Sequence, residues 1–182
     1  MPAPQNPVRL RIAGIYYDEV FSLDNLPGPP AFHIPGRSAP AGPTIFELLE
    51  AAFQKPGRNK ENFTYVFERR GDHLSITSLG VTHKKNIVGT LGGKFRAAGT
   101  YQLTEIGIPG GVVAWQYYVY REGVSASQLP AAAGAPPTGY SPVKGNGAGF
   151  TGFDQFELKA GDEVIWRQVA ILREPNVPNA SA

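Results

Sequence analysis

Cysteine is absent from the 182 residues. That removes disulfides, thiolate-bound zinc, iron–sulfur clusters and cysteine nucleophiles together. Charge of one sign is lacking too: 17 basic and 15 acidic residues leave a net charge of +2. Such a balance does not call for a nucleic-acid partner, and the pairs Arg69-Arg70 and Lys84-Lys85 read as solvated surface or turn. No run approaches the ~18 apolar residues of a membrane span. The opening MPAPQNPVRLRIAG has no apolar core of a signal peptide. The chain as given is therefore expected to be soluble and cytoplasmic, or exported if it is the trimmed form of a longer precursor.

Catalytic signatures are equally scarce. GAGFTG (147–152) has the G-x-G-x-x-G spacing, but a Pro/Gly stretch precedes it and strand-like sequence follows, so no helix N-terminus is offered to a pyrophosphate. GTLGGKF (89–95) is one residue short of a phosphate loop and has Phe95 where Ser or Thr is needed. His33, His73 and His83 lack the local spacing of a metal site. Serines occur without a G-x-S-x-G elbow. No catalytic residue and no metal ligand is assigned.

What the chain does have is glycine and proline, 22 and 17 residues, clustered between apolar runs in a sequence that is 42% hydrophobic. That composition predicts one domain of short strands and many turns, spanning 8–174, with a loose arm at 1–7 and a tail at 175–182. Long loops are expected at 24–43 and 124–152. Val8, Leu10 and Ile12 alternate with Arg9 and Arg11, the period of a half-buried strand. TIFELLEAAFQ (44–54) predicts the main helix, with Ile45, Leu48, Leu49, Ala52 and Phe53 as its apolar stripe and Thr44 and Glu47 as a capping box. Residues 62–81 predict two strands around Arg70-Gly71-Asp72, with Phe63, Tyr65 and Phe67 on one face of the first and Leu74, Ile76 and Ser78 on one face of the second. Weak strands are expected near 86–91 and 100–106. FDQFEL (153–158) predicts a short strand, Gly161-Asp162 a turn, and the residues after it a long final strand. The fold class is α+β, mostly β: a β-grasp-like mixed sheet packed on one helix.

The most distinctive stretch is VAWQYYVYREG (113–123). Period two places Val113, Trp115, Tyr117 and Val119 on a core face, and Ala114, Gln116, Tyr118 and Tyr120 on the other. The final strand splits likewise, with Val164 and Trp166 opposite Ile165, Arg167 and Val169. Strands apolar on both faces are covered on both sides. Aromatic residues with one polar tip suit contact with a ligand or partner.

Three features in this order resemble a known family: a Pro/Gly loop leading into PTIFELLEAAFQ, then LSITSLGV, then VAWQYYVYREG followed by FELKAGDEVIW. Together they resemble the transcobalamin carboxy-terminal-domain-like family of β-grasp-related bacterial domains. The Thr44–Phe53 helix, the Trp115–Val119 strand, and Leu158, Gly161, Asp162, Val164 and Trp166 carry the likeness, which spans roughly 8–81 and 112–173. The resemblance implies a β-grasp sheet and, as a cofactor, cobalamin. The reading of function is a non-enzymatic binding domain that holds a small molecule or a protein on Gln116, Tyr118, Tyr120 and Arg167. The alternatives are a self-associating protein, such as a homodimer, and an enzyme with a loop-built site of histidine and carboxylate.

Overall fold

The computed structural model describes residues 5–15, 17–27, 39–54, 62–70, 73–83, 98–122, 140–142 and 152–172. Among the described residues it is mostly strand with one α-helix. In chain order the elements are β1 (Pro7–Ile12), β2 (Tyr17–Ser22), α1 (Ile45–Gln54), β3 (Asn62–Arg70), β4 (His73–His83), β5 (Gly99–Thr104), β6 (Ile106–Ile108), β7 (Gly111–Glu122), β8 (Tyr140–Pro142) and β9 (Glu163–Leu172). The expectation of an α+β, mostly-β chain holds at that level. The strands near 86–91, both glycine motifs apart from Gly152, and most of the two long loops lie outside the described residues.

The strands form two sheets. A six-stranded mixed sheet runs β2-β1-β9-β7-β6, with β8 also on β7, and an antiparallel sheet runs β3-β4-β5. The centre of the larger sheet joins the first strand to the last: β1 pairs with β9 in parallel, setting Leu10 beside Val164 and Ile12 beside Trp166. β9 then pairs antiparallel with β7 along ten residues, from Tyr120↔Glu163 to Gly111↔Leu172. Period two fixes the inner face of every strand. Val8, Leu10, Ile12, Trp115, Tyr117, Val119, Val164 and Trp166 all enter the main core, where they meet Ile45, Phe46, Leu48 and Leu49 of α1. Trp115 and Tyr117 are core residues, as their face predicted. The Trp115 indole N–H donates to the Leu103 carbonyl at 3.1 Å, tying β7 to the end of β5.

α1 begins where the capping box says it should. The Thr44 backbone N–H donates to the Glu47 carboxylate at 2.6 Å, and the Thr44 hydroxyl donates to the same oxygen. The Phe46 N–H donates back to Thr44 Oγ1 at 3.2 Å. The buried stripe differs in one member. Phe53 is 56% exposed, while Phe46 is 4% exposed. Phe46 turns inward because an aromatic wall waits for it: its ring stacks on Phe153 at 5.8 Å and meets Phe67 edge-on at 5.4 Å.

Two further expectations are corrected. Ser78 does not share a face with Leu74 and Ile76, because β4 carries a bulge. Val66 pairs with Ser78 but Phe67 pairs with Ile76, leaving Thr77 as the extra residue. The bulge reverses the alternation, so Leu79, Val81 and His83 continue the core face and Ser78 goes to the other side. FDQFEL is not a strand either. The Gly152 carbonyl accepts from the Gln155 and Phe156 N–H groups and makes a turn, leaving only a bridge between Glu157 and Thr44. Phe153, Phe156 and Leu158 still point into the core.

The start of β1 is anchored at its first residue. The Gly161 N–H donates to the Pro7 carbonyl at 2.7 Å, and the Arg9 N–H donates to the Asp162 carbonyl at 2.9 Å. Gly161 sits at φ +87°, where a side chain would be strained.

Candidate functional site

The face of the six-stranded sheet turned away from the main core carries the candidate site. Alternation sends Gln116, Tyr118 and Tyr120 of β7 to that side, and the β7–β9 register sets Gln116 beside Arg167, Tyr118 beside Ile165 and Tyr120 beside Glu163. The parallel β1–β9 pairing continues the rows, setting Arg9 beside Glu163 and Arg11 beside Ile165. β2 adds Asp18 opposite Arg11 and Val20 opposite Arg9. All four residues singled out from the sequence, Gln116, Tyr118, Tyr120 and Arg167, therefore lie on one face of two adjacent strands.

The centre of this face is dry. Tyr118, Tyr120 and Ile165 form a buried cluster separate from the main core, at 2%, 0% and 4% exposure. Gln116 and Arg167 are half-buried beside it. The Tyr118 hydroxyl donates to Gln116 Oε1 at 2.9 Å. The Tyr120 hydroxyl is buried and has no hydrogen-bond partner among the described residues. A buried hydroxyl in that state costs about 1–3 kcal/mol.

One end of the face is charged. Arg9 grips Asp18 through two bonds of 2.7 Å, and Arg11 reaches Glu163 at 2.7 Å and Asp18 at 3.7 Å. Single-sequence reading found the two arginines on one face of β1 but not their partners. Their meeting with Glu163 depends on a parallel pairing of strands that lie 152 residues apart, and no local pattern reports it.

Electrostatics favour neutral phenols here. Burial raises the Tyr118 pKa above the usual tyrosine value, the neighbouring Tyr120 adds to the rise, and the Arg167 charge opposes it. Burial also raises Tyr120, with Arg167 acting against it and Glu163 with it. The tyrosines thus offer hydrogen bonds as neutral hydroxyls and do not serve as bases near neutral pH.

Of the three histidines only His83 has a described side chain, and it does not join this face. His33 lies outside the described residues, as does the side chain of His73. His83 is buried at the end of β4, its ring edge-on to Tyr101 at 5.3 Å. Among the described residues no three His, Asp or Glu side chains gather as a metal site, and no helix is long and apolar enough to cross a membrane. Comparison with known proteins gives no relative: no family model matches the chain, and neither a curated protein nor a solved structure is significantly similar to it.

Proposed function

We propose that this chain is a binding module without catalytic activity, which holds a small molecule against the outer face of its six-stranded sheet at Gln116, Tyr118, Tyr120 and Arg167. The observation that carries the reading is the Tyr120 hydroxyl, buried in a cluster separate from the core and without a partner among the described residues. A ligand atom bonded to that hydroxyl would offset its desolvation. Gln116 can both donate and accept, Arg167 brings a positive charge, and the aromatic rings with Ile165 supply apolar contact. A few polar groups set in an apolar surround are the usual make-up of a small-molecule site. A small molecule is favoured over a flat protein surface because both tyrosines are withdrawn from solvent within the single chain.

The β-grasp reading belongs to the same proposal. A mixed sheet whose first strand runs parallel to its last, with a β1–β2 hairpin at its side and one helix sharing its core, supports it. The family resemblance makes cobalamin one ligand worth testing.

Native mass spectrometry of the purified 19.6 kDa chain, alone and after incubation with a metabolite panel that includes cobalamin, tests the reading. The expected result is a retained mass whose affinity falls about tenfold in Tyr120→Phe, the loss of one buried hydrogen bond of about 1.4 kcal/mol. Without ligand, Tyr120→Phe should unfold in urea at a higher midpoint, since the removed hydroxyl had no partner among the described residues. A chain that retains nothing, or whose ligand is indifferent to Tyr120→Phe, Gln116→Ala and Arg167→Ala, would overturn the proposal.

A further inference from the structure

We infer that the edge of the three-stranded sheet is a self-recognition surface, where β3 of one chain pairs antiparallel with β3 of a second copy about a two-fold axis at Val66. Among the described residues β3 has β4 as its only strand neighbour, so its other edge is the end of the sheet. Nine residues run along that edge. The bulge that interrupts this sheet puts its extra residue, Thr77, on β4, so β3 itself keeps a regular alternation. Edge strands commonly guard against pairing with a bulge, a proline or a central charge. β3 has none of these between Asn62 and Phe67; its charges, Glu68, Arg69 and Arg70, all lie at one end.

Exposure marks the same edge. Val66 is 53% exposed on the outer side of the sheet. On the inner side Phe53 is 56% exposed and edge-on to Tyr65, with ring centroids 6.3 Å apart. An exposed apolar residue on each side of an unextended edge is what a pairing strand would cover.

The sequence of β3 is complementary to itself in one register that uses all of it. With Val66 on the axis, Tyr65 faces the partner's Phe67, Thr64 faces the partner's Glu68, Phe63 faces the partner's Arg69 and Asn62 faces the partner's Arg70. No like charges stand opposite, and an aromatic pair falls on each side of the axis, an arrangement that stabilises antiparallel strands. Shifting the centre to Glu68 or Arg69 sets each of those charges against its own copy. Centring on Phe67 leaves Asn62 and Phe63 outside the pairing, and centring on Tyr65 leaves Arg69 and Arg70 outside it. At the two ends of the other sheet, β2 is shorter at six residues, carries Asp18 and Glu19 and has no exposed large apolar side chain, while β6 exposes Ile106 but has only three residues to pair. The two-fold contact would join the two three-stranded sheets into one of six.

Sedimentation velocity over a hundredfold range of concentration tests this on the whole chain. The expected result is a concentration-dependent dimer that Val66→Lys abolishes by placing two ammonium groups on the axis, while circular dichroism stays as in the parent and the thermal midpoint matches the parent's at concentrations where the parent is monomeric. Cross-linking reads the register, because the chain has no cysteine of its own. Under mild oxidation Thr64→Cys mixed with Glu68→Cys should form the mixed disulfide in several-fold excess over either homodimer. A monomer at every concentration, a dimer unaffected by Val66→Lys, or Thr64→Cys linking to itself as readily as to Glu68→Cys would overturn the inference. Ligand retention at Tyr120 is read on the other sheet, so either proposal can fail without the other.

Discussion

Asp162 joins three separate segments of the chain. Its side chain has no exposed surface, and it accepts two bonds from Arg121 at 2.6 and 2.8 Å. It also accepts the Lys159 N–H at 2.9 Å, closing the turn before β9. Its backbone carbonyl takes the Arg9 N–H, so one residue fixes the end of β7, the start of β9 and the parallel entry of β1. The bonds to Asp162 also raise the Arg121 pKa, keeping the guanidinium charged. Removing one member of a buried pair strands the other, at a cost of about 3–5 kcal/mol for full burial. Arg121 keeps 24% of its side-chain surface in water, so Asp162→Ala is expected at the low end, about 3 kcal/mol, read as a lower urea midpoint with unchanged slope. Asp162→Asn keeps an acceptor oxygen and should lose clearly less. Equal losses in the two variants would show that the charge, and not the acceptor geometry, holds the turn.

At the scale of elements, α1 shows why a ten-residue helix survives here. A helix of that length is marginal alone, so its ends and its packing decide. The N-terminus is satisfied twice: by the Thr44–Glu47 box and by the Phe153 carbonyl, which accepts the Phe46 N–H at 3.1 Å. Thr44→Val preserves shape but deletes the hydroxyl that accepts from Phe46 and donates to Glu47, leaving a 3%-exposed carboxylate short of one donor. We expect a loss of about 1–2 kcal/mol in chemical denaturation, with Thr44→Ser close to the parent; a Thr44→Val chain as stable as the parent would show that the Phe153 carbonyl alone suffices. The box was legible because it is local, three residues apart. Gly80 was not legible: a Cβ there would come within 2.8 Å of Thr64 Oγ1 on β3 and 3.3 Å of Gln102 on β5. The glycine is required by two neighbours that only the sheet brings together.

For the whole molecule, the division between legible and hidden follows the same line. Period two assigned both faces of β7 and β9 correctly, because alternation within a strand is local. It failed at Ser78, where one extra residue on β4 reversed the phase, and at Phe53, where tertiary contacts of Phe46 outweighed the helical stripe. The Arg11–Glu163 ion pair was hidden because it needs the first and last strands side by side. The tyrosines show one consequence of the assembled fold that no local pattern contains. Of the eight tyrosines in the chain, Tyr65, Tyr117, Tyr118 and Tyr120 are all held protonated beyond the usual value. Burial is the largest cause for each; a hydrogen bond to Glu50 adds to it at Tyr65, and the charge of Asp154 adds to it at Tyr117. In the unfolded chain each would ionise near the ordinary value of 10.0. Above that pH the unfolded state sheds these protons while the folded state keeps them, so unfolding is favoured as pH rises. Below about pH 10 their contribution to stability is complete, and above it that contribution is lost progressively. The thermal midpoint is therefore expected to stay level through neutral and mildly alkaline pH and then to fall steeply. Phenolate absorbance should rise in two stages, the second coinciding with loss of the far-ultraviolet dichroism of the sheets. A single titration of all eight tyrosines near pH 10 with the sheets intact would refute the burial of these four phenols in solution.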